Sequence, residues 1–317
     1  MGTNEESSLL NYLANIPFVY RDKLNVPEDM KFGAEIEFMS DDVHDIYKVL
    51  RKALNNQTGK RKYYKLESNN RVVRYNQGKR IFEIKTPVLY NSEENFDSLK
   101  QVCDAFRNHI LMPSNQKGVH VHVDLSTLER NERFLNTFLK IFCIYEHIIF
   151  RFSYGEEEYS NINIASYSRE VSNRLYNYLI KHNYNEEFEI FLNDLRELLK
   201  CKSYAINFHK KDIACNNETI EVRTFNSTMN PVIIQNDINL VLNIINQIVN
   251  NEIDLDLLDF RFREYDRKFY VKDSYSKINL QDAVEFSDLV FKDSEDKDYF
   301  LRQYAIKTNP KKKKLVI

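Results

Sequence analysis

Four short segments of this chain alternate ionisable side chains with apolar ones. In Phe32-Gly33-Ala34-Glu35-Ile36-Glu37-Phe38, an extended backbone turns Glu35 and Glu37 to one side and Phe32, Ala34, Ile36 and Phe38 to the other. Ile81-Phe82-Glu83-Ile84-Lys85 sets Glu83 and Lys85 against Phe82 and Ile84 in the same way. Val119-His120-Val121-His122-Val123-Asp124 opposes His120, His122 and Asp124 to three valines, and Ile220-Glu221-Val222-Arg223-Thr224 opposes Glu221 and Arg223 to Ile220 and Val222. Side chains two apart on a strand lie about 7 Å apart, so a Glu-x-Glu pair can serve two cations, each bridged to phosphate oxygens. Carboxylates with one or two imidazoles suit Mg²⁺ or Mn²⁺ better than Zn²⁺, which favours a compact His and Cys set.

Any half-exposed antiparallel strand alternates charged and apolar residues. An ordinary exposed face, however, mixes Lys, Thr, Ser and Gln, whereas these strands repeat carboxylate or imidazole at neighbouring outward positions. Combined in one sheet, they would gather Glu35, Glu37, Glu83, His120, His122, Glu221 and Arg223 on the face turned away from the core.

The elements that must position them follow from periodicity. A strand is expected at Lys31–Phe38. Helical spacing runs from Val43 to Leu54 and from Phe96 to Ile110, separated by a β-rich stretch in which Tyr63–Leu66 and Arg71–Tyr75 flank a turn at Glu67-Ser68-Asn69-Asn70. Strands follow at Arg80–Lys85 and Val119–Asp124, then a long helix over roughly 130–151 and two amphipathic helices near 168–182 and 186–200. Strands near Ser203–Phe208 and Thr219–Phe225 precede a helix opened by Pro231 and running through Val249. Beyond it, 251–317 has weaker helical signals near 280–290 and ends in the basic run Lys311–Lys314. The expected organisation is a leader over 1–29, a catalytic domain over 30–250 and a C-terminal helical extension with a basic tail over 251–317.

Composition narrows the functions. The 317 residues include 21 Phe and 20 Tyr, enough apolar surface for a sizeable core. Lys and Arg total 45 against 47 Asp and Glu, which gives no general pull toward nucleic acid or membrane. With only six glycines, neither phosphate-binding glycine motif can be written, so a nucleotide would be held by metal ions and cationic side chains. The four cysteines form no CxxC pair, and the first residues lack the pattern of a secretory signal, so the expectation is a reducing cytoplasm. Oligomeric state is open.

Taken in order, FGAEIEF, FEIKTP, GVHVHVDLS and SYAINF followed by TIEVRTFNST resemble the putative amidoligase family, related to the glutamine synthetase and glutamate–cysteine ligase fold. The resemblance runs from about Lys31 to Val249. It implies an α+β fold like the glutamine synthetase catalytic domain: an antiparallel β-sheet with helices packed on one face and the active site on the other. It also implies ATP with Mg²⁺ or Mn²⁺, and small-molecule or peptide carboxylate and amine substrates. Carried over residue by residue, it makes Glu35 and Glu37 ligands to a pair of Mg²⁺ ions, with Glu83, His120 and Glu221 as further ligands. Arg223 would neutralise the transferred phosphoryl group, with Asn207 and Lys85 also at the nucleotide. His122, Glu67 and Asp124 are candidates for the base that deprotonates the amine. Two departures stand out: Lys65-Leu66-Glu67-Ser68 replaces the usual Asp-Gly-Ser turn, and Lys85-Thr86-Pro87 replaces a small residue followed by two prolines. A metal-dependent phosphotransferase of the guanidino-kinase kind and a non-catalytic nucleotide- or metal-binding module are the alternatives.

Overall fold

A computed structural model describes residues 3–40, 48–50, 64–69, 80–107, 118–153, 168–182, 187–209, 218–265 and 279–305. In chain order its elements are α1 (Thr3–Asn15), β1 (Lys31–Ser40), β2 (Lys65–Asn69), β3 (Arg80–Lys85), β4 (Leu89–Tyr90), α2 (Glu93–Arg107), β5 (Gly118–Asp124) and α3 (Glu132–Phe152). There follow α4 (Ser172–Leu179), α5 (Phe188–Leu198), β6 (Ile206–His209), β7 (Thr219–Asn226), α6 (Pro231–Val249), α7 (Leu255–Arg263), α8 (Leu280–Val290) and α9 (Ser294–Ala305).

The strands form one antiparallel sheet in the order β2-β3-β1-β5-β7-β6, with β4 paired to the start of β1. The architecture is therefore α+β. Phe32, Ala34, Ile36, Phe38, Phe82, Ile84, Val119, Val121, Val123, Ile220 and Val222 are all buried, as alternation requires. α6 lies on β5 and against α2 and α3, while α3 also packs on β7.

Helix boundaries trace to local chemistry. Asn131 Oδ1 accepts from the Arg133 amide at 2.9 Å to start α3, and Asn230 Oδ1 accepts from Val232 at 3.2 Å ahead of Pro231 in the first turn of α6. α6 is long and apolar enough to cross a membrane, but it is buried within the protein. Its polar side chains bond inward: Asn236 Nδ2 donates to Gln303 Oε1 at 2.9 Å and Asn239 Nδ2 to Asp296 Oδ1 at 3.0 Å, both on α9.

One expectation is corrected. Glu67, Ser68 and Asn69 lie within β2, with Glu67 opposite Glu83, and do not form a turn; pairing along β3 overrides their local turn preference. The expected strand 71–75, most of the expected helix from Val43, the Glu67 side chain and the tail Lys311–Lys314 lie outside the described residues. So does Cys215; Cys103, Cys143 and Cys201 are free thiols.

The residues ahead of β1 and the last helices share the core. Leu13, Leu24 and Met30 join the same apolar cluster as Leu280, Phe286 and Phe300. Asn91 straps the entering chain, accepting from the Leu24 amide at 2.8 Å and donating to its carbonyl at 3.0 Å. Arg21 Nη1 meets the fully buried Asp296 at 2.5 Å, and the Arg21 amide donates to Gln235 Oε1 of α6 at 2.8 Å.

Within α3, Glu146 is fully buried and accepts from the amides of Val171 at 2.6 Å and Ser172 at 3.3 Å where α4 begins. Burial pushes its carboxyl up to about 7 from an ordinary 4.5, against these hydrogen bonds. The folded state then holds a proton that the unfolded chain releases, so this group's contribution to stability declines as pH rises from about 4.5 to about 7. Glu146→Gln removes that dependence. Thermal melts at about pH 5 and pH 8 should show the wild type losing about 2 kcal/mol relative to the variant over that interval.

Candidate active site

Strand register brings the ionisable side chains together. Across β1 and β5, Glu35 stands opposite His120 and Gly33 opposite His122; across β5 and β7, His122 stands opposite Glu221. On the outer side, Asn207 of β6 stands opposite Glu221. Between Val119 and Val121 the β5–β7 pairing shifts by one residue, from Val119↔Phe225 to Val121↔Val222, so Arg223 and Thr224 together face His120. Such an irregularity re-aims side chains. Here Arg223 Nη1 comes 3.4 Å from His120 Nδ1 and 2.6 Å from Glu221 Oε1.

Glu221, 1 % exposed, is the hub. Besides Arg223 it meets His120 Nδ1 at 3.1 Å, His209 Nε2 at 2.7 Å, His122 Nε2 at 3.6 Å and Asn207 Nδ2 at 3.3 Å. Glu35 is the second anchor, 3.3 Å from His120 Nδ1, 3.5 Å from His122 Nε2 and 3.2 Å from Lys85 Nζ. Lys85 Nζ also lies 3.7 Å from Glu83 Oε1. Glu37 sits at the same face, its Oε2 accepting from the Gly118 amide at 3.2 Å and lying 3.7 Å from His120 Nε2.

These contacts shift the proton affinities. Burial acts to raise both anchors, but hydrogen bonds from His120 outweigh it, joined by His122 at Glu35 and His209 at Glu221, and hold both carboxyls well below the ordinary range. Burial works against the His120 cation, yet hydrogen bonds to Glu221 and Glu35 lift its pKa to about 9. Burial, followed by the hydrogen bond with Glu35 and the Glu35 charge, pushes the Glu83 carboxyl up from its ordinary value, against the pull of the Lys85 charge.

Once His120 gives up its proton, the donor set fits a divalent cation. Glu35, His120 and Glu221 each offer a ligand atom, and these atoms lie within 4.8 Å of one another. Beside them lies the buried His122 Nε2, 3.5 Å from Glu35 and 3.6 Å from Glu221, so a second imidazole adjoins the cluster.

The sequence profile of the family described as putative amidoligase enzymes matches residues 28–245. The chain belongs to this family. No curated protein and no solved structure matches it.

In this amidoligase-family chain the sheet brings together Glu35, Glu37, Glu83, Lys85, His120, His122, Asn207, Glu221 and Arg223, and it adds His209. His209 was not anticipated. The cue was its spacing two residues after Asn207, which repeats the outward alternation on the strand beside Glu221. Asp124 is engaged elsewhere, its Oδ1 accepting from the Ser126 amide at 2.8 Å as the cap of the 3₁₀ turn Leu125–Leu128.

Gly118 is required by close approach, because a Cβ there would lie 2.5 Å from the Phe225 carbonyl oxygen. Gly118→Ala should cost about 1–3 kcal/mol in denaturant unfolding. Mn²⁺ should raise the melting temperature of the wild type by a few degrees, as expected for an ion that binds the folded state. Glu221→Gln, measured by the same thermal scan, should lose most of that increment.

Proposed function

We propose that this chain forms an amide bond between a carboxylate and an amine, using ATP and a divalent cation, through an acyl phosphate. The observation that carries this reading is the convergence of Glu35, His120, Glu221 and Arg223, from three neighbouring strands, in a chain of the amidoligase family. A catalytic sheet of the glutamine synthetase type is the architecture that the reading implies.

Transfer of the γ-phosphoryl group to a carboxylate sets two anions against each other, so charge compensation and in-line positioning are the main demands. Glu35, His120 and Glu221 would hold a Mg²⁺ or Mn²⁺ ion, which would supply part of that compensation. Arg223 supplies the rest from the chain itself. Its Nη1 donates to Glu221 Oε1 at 2.6 Å, which orients the guanidinium, while its buried Nε has no hydrogen-bond partner among the described residues. Asn207 holds Glu221 in place and so supports the site from behind. The incoming amine must lose a proton before it attacks, and His122 is assigned to accept it because its Nε2 lies beside both anionic anchors, 3.5 Å from Glu35 and 3.6 Å from Glu221.

The test is phosphate release from ATP with Mg²⁺ across a panel of carboxylic acids and amines, with products identified by mass spectrometry. The wild type should release phosphate only when acid and amine are both present, and the product should be an amide. Glu35→Gln and Arg223→Ala should each lower turnover by about 10²-fold or more. A phosphorylated product without amide would instead indicate a phosphotransferase, and the absence of nucleotide turnover across the panel would overturn the ligase reading.

A further inference from the structure

We infer that the Lys85 ammonium occupies the place of a second metal ion, so that this chain works with a single divalent cation. The inference rests on the ligase reading for its nucleotide, but it makes a separate statement about the site. A Glu-x-Glu strand can serve a pair of cations. Here one side of Glu35 is filled from within the chain. The β1–β3 register sets Glu35 opposite Lys85 and Glu37 opposite Glu83. Thr86 locks that register, because its amide donates to the Ala34 carbonyl at 2.9 Å and its Oγ1 accepts from the Ala34 amide at 2.9 Å.

Lys85 Nζ therefore reaches Glu35 at 3.2 Å and Glu83 at 3.7 Å, with the side chain only 32 % exposed. An ammonium at that position supplies positive charge and three donors, and it opposes entry of another cation between the same carboxylates. Glu37 is engaged as well, by the Gly118 amide at 3.2 Å and by His120 Nε2 at 3.7 Å. On the other side of Glu35, the His120 and Glu221 atoms remain grouped for the single ion. The sequence departure at Lys85-Thr86-Pro87 thus has a physical role: the lysine brings charge and the threonine fixes where it sits.

The full chain, stripped by chelation, would be titrated with Mn²⁺ in the presence of a non-hydrolysable ATP analogue. Bound ions would be counted by elemental analysis and their separation read by electron paramagnetic resonance. The wild type should hold a single ion with the spectrum of an isolated centre. Lys85→Met should acquire a second ion and show spin coupling, whereas Lys85→Arg should remain single. A coupled pair in the wild type would overturn the inference while leaving the ligase reading intact, and this arm needs no variant to fold. A single ion in Lys85→Met would also overturn it. Failure of the wild type to bind any ion would remove both the inference and the metal-dependent part of the reading above.

Discussion

The compensation of two carboxylates, Glu221 buried and Glu35 half-buried, governs the sheet. Removing a carboxylate from water costs several kcal/mol unless cations and donors surround it. Glu221 is almost wholly enclosed, and its partners come from β5, β6 and β7. Glu35 draws on β3 and β5. Neither anion could be tolerated if any of these strands slipped by one residue, because a slip would turn the imidazoles toward the core and the valines toward the carboxylates. Fold and site are thus specified by the same register.

That coupling explains what could be read in advance. Alternation marked β1, β3, β5 and β7, and the apolar residues it assigned inward, from Phe32 to Phe38, Phe82 and Ile84, Val119 to Val123, and Ile220 and Val222, are buried. Asn230-Pro231 fixed the start of α6, because an amide side chain and a ring without N–H both act within one turn. Most members of the site were visible in the same alternation. What could not be read was which strand neighbours which, and therefore that His120 faces Arg223 across a shifted pair or that Lys85 is set against Glu35.

The misses have a common origin in distant contacts. Glu67-Ser68-Asn69 favours a turn locally, and only β3 makes it a strand. His209 ends a strand of four residues, too short to show a pattern of its own. α9 has a charged, aromatic-rich sequence, and it buries Tyr299, Phe300 and Tyr304 while its Gln303 and Asp296 meet the amides of α6.

The meeting of Arg21 and Asp296 carries a consequence for biosynthesis. These residues are 275 positions apart, and the bond between them closes the core over α6. A growing chain can complete its sheet as soon as β7 has emerged, yet the apolar helix after it stays partly uncovered until α9 is made. Contacts so distant in sequence form late and carry a large entropic cost of closure. The interval between synthesis of α6 and of α9 is therefore when the apolar surface of α6 that α9 covers stands open to water.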